Sequence, residues 1–159
     1  MKSPLGVLVL ESDGRALTRV RLPGEPKPSA AGKAGDADRV RDPKPFTAVI
    51  AQLEEYFAGT RRRFDLPLAP RGTPFQLKVW RELRRIPYGR TISYAILAHR
   101  AGNDRACRAV GAANGRNPLP IIVPCHRVIG ADGSLTGFGG GIEAKRKLLK
   151  LEGAAVVAD

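Results

Sequence analysis

Between Pro23 and Pro45 the chain is rich in Pro, Gly, Ala, Lys and Asp and carries almost no large apolar residue. Such a stretch has nothing to turn toward a core, so it predicts a long mobile connection separating the elements on either side. Ahead of it, Leu5 to Leu10 and Ala16 to Leu22 flank Ser12-Asp13-Gly14, a turn sequence suited to positive φ, and the pair reads as a β-hairpin. Behind it, Phe46, Val49, Ile50, Leu53 and Phe57 return at helical spacing and Gly59 supplies a stop. A short strand around Phe64 to Leu66 would close a small α+β unit.

A second region opens near Gly72. Thr73-Pro74 supplies an N-cap and a proline at the first helical position, and the helix runs from Phe75 to about Arg84 with Phe75, Val79, Trp80 and Leu83 on one face. Ile86-Pro87-Tyr88-Gly89 breaks it. Ser93 then caps a short helix through about Arg100, Ala101-Gly102-Asn103 makes a tight turn, and a second short helix runs from about Asp104 to Ala113. That is helix-turn-helix spacing. An apolar run Ile121 to Val123, the tetrad Pro124-Cys125-His126-Arg127, a glycine-rich loop through Gly141 and a helix from Ile142 to about Leu151 complete the chain. The expected fold is α+β: a small sheet-plus-helix domain over residues 1–68, including the mobile connection 23–45, then a mainly helical domain over 69–159 containing the helix-turn-helix.

Charge is concentrated. The chain carries a formal +12, and residues 71 to 130 hold eleven Arg and Lys against Glu82 and Asp104, a net of +9. A field of that sign favours a polyanion, although from charge alone a solvated basic surface is an equal reading. The apolar N-terminal run is cut by Glu11 and Asp13 before it could span a membrane, and no later stretch is long enough, so a cytoplasmic protein is expected. Two cysteines make no disulfide framework, which fits reduced thiols.

The second helix of the pair offers Ala106, Ala109, Gly111, Ala112 and Ala113 around one long basic residue, Arg108. Small residues let a helix press into a narrow groove and leave Arg108 to reach the bases; equally, alanines pack against neighbouring helices. Cys125 beside His126 is the chemical candidate, because a thiolate is a soft nucleophile that a neighbouring base makes available near neutral pH. Neighbours in an extended segment point apart, so the pair needs a tight turn or a bridging water, and a third group must orient the histidine. Cys107, on a helix without an activating base, reads as packing. The order of Cys107, Cys125, His99 and His126 matches no common zinc site, and no metal or other cofactor is expected. Lys145-Arg146-Lys147 reads as a solvated face near the end of the last helix.

Ile122-Val123-Pro124-Cys125-His126-Arg127-Val128 resembles the signature of the O6-alkylguanine-DNA alkyltransferases. The resemblance extends in order and spacing through Phe75 to Trp80, Ile86 to Gly89, Ser93-Tyr94, Arg108 to Gly111, Asn114 to Pro118, and Gly139 to Gly141 with Lys145, Leu148, Leu149 and Glu152. It implies a DNA repair protein that takes the alkyl group of O6-alkylguanine, with O4-alkylthymine as a lesser substrate, onto Cys125 in a single irreversible event. It further implies that His126 deprotonates Cys125 through a water, that Glu152 orients His126, and that Asn117 ties the recognition helix to the active-site turn. Tyr94 would act on the phosphate and the departing base, and Arg108 would fill the gap left by the flipped nucleotide. Ser93 and the backbone from Ala106 to Ala109, with Gly111, would hold the DNA. Val128, Gly139, Asn114 and Tyr94 would surround the guanine. The partner would be alkylated duplex DNA gripped from the minor groove by a monomer, with cooperativity open.

Phe138 and Gly139 stand where relatives often carry Tyr and some carry Ser, which bears on pocket shape. Three other readings make different predictions: a non-catalytic alkylated-DNA-binding protein would lack Cys125, a helix-turn-helix regulator would form no covalent product, and a cysteine hydrolase would need an oxyanion hole.

Overall fold

The computed structural model describes residues 1–25 and 41–155. Most of the expected mobile connection, residues 26–40, lies outside them. The fold is α+β: a small sheet-and-helix domain precedes a mainly helical one that contains the helix-turn-helix.

The N-terminal sheet differs from the simple hairpin. Leu5 to Leu10 is not one strand, because Gly6 at φ +114° folds the chain back and pairs β1 (Lys2–Ser3) with β2 (Gly6–Val7). The longer hairpin joins β3 (Val9–Ser12) to β4 (Leu17–Arg21), with Leu10 opposite Val20. Its turn is held by Asp13, whose Oδ1 accepts from the Arg15 and Ala16 amides at 2.9 and 2.8 Å. No strand forms over 64–66; Leu68 alone bridges Leu17, in parallel sense. Pro67 has no N–H to donate, which limits the pairing there.

A 3-10 turn at Lys44–Phe46 leads into α1 (Thr47–Phe57), which buries Val49, Leu53 and Tyr56. Helix α2 (Pro74–Arg84) starts with the capping box Thr73/Gln76 and buries Val79, Trp80 and Leu83. Strand β5 (Ile92–Ser93) runs parallel to β6 (Val128–Ile129) and so fastens the entrance of the helix-turn-helix to the segment after Cys125. Ser93 Oγ accepts from the Ile96 amide at 3.2 Å and caps α3 (Tyr94–Arg100). Helix α4 (Cys107–Gly115) begins three residues later than the sequence suggests, because Asn103 holds a turn through its carbonyl to Ala106 and its side chain to Arg105. Helix α5 (Ile142–Leu151) closes the fold.

One cluster of buried side chains runs from Leu8 and Val20 in the sheet through α1 and α2 to Leu148 in α5. Two bonds tie its layers together around the turn that carries Cys125: Trp80 Nε1 donates to the Ala113 carbonyl at 2.8 Å, and the Val20 amide donates to Pro118 O at 2.8 Å. Among the described residues no helix is long and apolar enough to cross a membrane.

Candidate active site

The segment from Asn117 to Arg127 is held in a contorted path. Ile121 is buried at φ +75°, a conformation that a β-branched residue adopts only when its surroundings impose it. Pro124, at φ −81° and ψ 66°, makes an inverse γ-turn closed by the Cys125 amide donating to Val123 O at 2.8 Å. Asn117 braces the same bend: its Nδ2 donates to Val123 O at 2.7 Å and its Oδ1 accepts from the Leu119 amide at 3.0 Å. Asn114 on α4 reaches Cys125 O with its Nδ2 at 3.4 Å.

Cys125–Arg127 then form one 3-10 turn with all three residues buried. Three residues per turn fan successive side chains in different directions. Cys125 lines a pocket with Asn114, Asn117, Pro120, Phe138 and Gly139, while His126 and Arg127 turn to Glu152. The tight turn required by adjacent Cys and His is present.

Glu152, just past α5, is the centre of the buried polar network. Its Oε1 accepts from His126 Nε2 at 2.8 Å, Tyr56 Oη at 2.7 Å and Arg127 Nη2 at 2.9 Å; its Oε2 accepts from Arg127 Nε at 2.8 Å and the Gly89 amide at 3.2 Å. Burial alone would raise its pKa, but the hydrogen bonds from His126 and Arg127 outweigh that and hold the carboxyl well below the usual range. Burial lowers the His126 pKa despite its carboxylate partner, so the ring is neutral and Arg127 supplies the balancing charge. An ionised carboxylate can only accept; Nε2 therefore carries the ring hydrogen, and the buried Nδ1, which has no hydrogen-bond partner among the described residues, keeps a basic lone pair.

Burial pushes the Cys125 thiol up to about 11, against the pull of the Asn117 amide and the Lys145 charge. At neutral pH it rests as a thiol and needs a base to become a nucleophile.

Lys145 corrects the reading of a solvated basic face. It is fully buried, and its Nζ donates to Val128 O at 2.6 Å and to Thr136 O at 2.8 Å. Burial lowers its pKa to about 8, with the Cys125 charge opposing. The signal was available: Lys145 lies three residues after Ile142 and three and four before Leu148 and Leu149, on the apolar stripe of α5. The Thr136 carbonyl also accepts from Tyr94 Oη at 3.3 Å, so one peptide group links α3, the loop before α5 and Lys145.

On the helix-turn-helix, Arg108 and Ala109 are exposed, Ala106 and Gly111 are half-buried, and the Tyr94 ring lies beside Gly111. Cys107 is not packed as expected; the later start of α4 leaves it exposed at the first helical position, its Sγ 3.8 Å from Asp104 O. Of the expected pocket residues, Asn114 and Gly139 line the cavity with Cys125, whereas Tyr94 and Val128 stand outside its lining. Arg127, Tyr56 and Gly89, none singled out from sequence as site residues, complete the shell around Glu152.

A helix-turn-helix standing beside a buried thiol and an ordered histidine-carboxylate pair is the arrangement expected of a DNA-binding protein that works through a cysteine. Residues 74–154 match the family profile described as 6-O-methylguanine DNA methyltransferase, DNA binding domain, and residues 1–70 match the ribonuclease-like domain of the same methyltransferases. The methylated-DNA-protein-cysteine methyltransferase of Mycobacterium tuberculosis is 49% identical over 158 residues, 99% of this chain and 92% of the relative. The constitutive enzyme of that name from Bacillus subtilis is 46% identical over 152 residues, 95% of this chain and 92% of the relative. The crystal structure of M. tuberculosis O6-methylguanine methyltransferase superposes with a TM-score of 0.87 at 48% identity, covering 100% of this chain and 93% of that one. That of M. tuberculosis OGT in complex with DNA gives 0.85 at 48% identity, covering 96% and 90%. The chain belongs to the methylated-DNA-protein-cysteine methyltransferase family, enzymes of DNA repair by alkyl transfer.

Proposed function

We propose that this protein removes the alkyl group from O6-alkylguanine in duplex DNA, and secondarily from O4-alkylthymine, by moving it once and irreversibly to Sγ of Cys125. The observation that carries the reading is the 3-10 turn that turns Cys125 to a pocket while its neighbour His126 is bound by Glu152. His126 Nδ1 takes the thiol proton through a water, with Glu152 stabilising the charged ring that results. The thiolate attacks the saturated carbon on O6; the C–S bond forms as the C–O bond breaks, and the electron pair leaves with guanine. The proton ends on the base, so the products are neutral guanine and a thioether. A thioether offers no leaving group to water, hence one event per molecule.

The pocket beside Cys125, about 20 Å³, must widen to take a guanine, and a base inside a duplex must leave the stack to reach it. The exposed Arg108 next to the small residues Ala106, Ala109 and Gly111 supports entry from the minor groove, with the guanidinium filling the vacated position. Ser93, capping α3, would meet the phosphate backbone. Tyr94, whose hydroxyl sits on Thr136 O in the free protein, would turn to the phosphate and base, and the Val128 and Gly139 backbone would contact the guanine. We take the protein to act as a cytoplasmic monomer of two domains, residues 1–68 and 69–159.

Rapid-quench kinetics on a duplex with one O6-methylguanine tests the roles. Cys125→Ser should abolish transfer, and His126→Gln should slow it by about 10²- to 10⁴-fold, the range of general-base catalysis. Full activity in His126→Gln would remove the base from the mechanism. A protein that binds the lesion without chemistry would show no transfer in any variant.

A further inference from the structure

We propose that Glu25 is a specificity-determining residue of the alkyl pocket, whose carboxylate selects for uncharged adducts and against those bearing an anionic group. The inference rests on the assignment of Cys125 as alkyl acceptor.

Glu25 comes from the N-terminal domain, beyond β4, yet it lines the same narrow pocket as Cys125, Pro120, Phe138 and Gly139. Its side chain runs along Gly139: a Cβ added there would stand 3.0 Å from Glu25 Oε1 and 3.6 Å from its Cδ. The chain is aimed by two anchors. Gly24 at φ +84° lets the Glu25 amide turn back toward Leu22 O, at 3.3 Å, and Leu22 is wedged against Gly140, where an added Cβ would meet its Cδ1 at 2.8 Å. Leu22 and Glu25 therefore sit together against the Gly139-Gly140 loop.

The charge of Glu25 is felt at the thiol, where it disfavours the thiolate. It likewise opposes any negative group carried in on the alkyl carbon, because the half-exposed carboxylate and the incoming group share one narrow pocket. A methyl or other neutral alkyl group meets only its volume. The smallest anionic adduct, a carboxymethyl on O6, meets a like charge before the reacting carbon reaches Sγ.

The test is the second-order transfer rate on matched duplexes carrying O6-methylguanine or O6-carboxymethylguanine, for the full chain and for Glu25→Gln, which keeps shape and removes charge. We expect the carboxymethyl-to-methyl rate ratio to rise about tenfold in Glu25→Gln, and the wild-type discrimination to narrow as salt is raised. Glu25→Lys should raise the ratio further. An unchanged ratio overturns the proposal, including the case in which both rates rise together, which would make Glu25 a steric obstacle only. If neither duplex methylates or carboxymethylates Cys125 in any variant, the acceptor assignment has failed, a result distinct from an unchanged ratio.

Discussion

Arg127 and Glu152 meet side by side in the protein interior, Nε to Oε2 at 2.8 Å and Nη2 to Oε1 at 2.9 Å, with the remaining Arg127 nitrogen donating to Ile86 O at 2.6 Å. The pair gives the carboxylate a permanent cation, so His126 can stay neutral while still hydrogen-bonded to it. Without that cation, His126 would be the only one of the carboxylate's hydrogen-bond partners able to balance its charge, and the ring would be drawn toward its protonated form and lose its basic lone pair.

Removing the carboxylate charge should therefore cost both fold and chemistry. Glu152→Gln leaves Arg127 buried without a counter-ion, a loss of about 3–5 kcal/mol for a broken buried pair, measurable by urea unfolding. Single-turnover transfer should fall by at least about 10²-fold as the base loses its orientation. A variant as stable and as fast as the wild type would refute the assignment of Glu152 as the organising group.

Gly89 should resist substitution. Its amide donates to Glu152 Oε2, its φ is +74°, and a Cβ would stand 2.8 Å from the Glu152 carbonyl oxygen. Gly89→Ala adds a strained backbone to a clash with main chain, and should lower unfolding stability by about 1–3 kcal/mol. Thermal unfolding beside a Gly59→Ala control, where φ is +78° but the space is open, separates the clash from the backbone term.

Acid should destabilise the fold in two stages. Burial keeps His126 below its ordinary 6.5, so as pH drops through that value the unfolded chain binds a proton the folded one refuses. Glu152, held below its ordinary 4.5, contributes stability that is complete above that pH and declines beneath it, as the unfolded carboxyl protonates first. Urea midpoints from pH 8 to pH 3 should fall first near 6.5 and again below 4.5; stability that increased on acidification over this range would contradict both assignments.

Lys145→Met should leave Cys125 less acidic, because the lysine charge is one of the groups pulling the thiol down from burial's effect. In a Cys107→Ser background, which removes the exposed thiol, alkylation of Cys125 by iodoacetamide at pH 7, where Lys145 is still charged, and alkyl transfer should both slow severalfold. Unchanged rates at pH 7 would place Lys145 outside the thiol's electrostatic environment.

Much of this arrangement was legible in the chain. Thr73-Pro74 and Ser93 announce α2 and α3 because caps act locally, and α5 begins and ends where its apolar stripe does. Cys125-His126 marks the buried 3-10 turn, and the family resemblance pointed to Glu152, which the structure places on His126. What stayed hidden depends on distant contacts. Tyr56 meets Glu152 across ninety-six positions of sequence, and Arg127 reads as one more surface cation until its partner is seen. Lys145 was misread because its charge was weighed above its position on the helix, and Cys107 because Asn103 delays the start of α4.

The most direct test of the central claim is intact mass after incubation with a duplex holding one O6-methylguanine, beside an undamaged duplex and a Cys125→Ala variant. We predict a gain of one methyl group per molecule, mapped by peptide sequencing to Cys125 and absent from both controls. DNA binding without a gain in mass, or a methyl group found on the exposed Cys107, would contradict it.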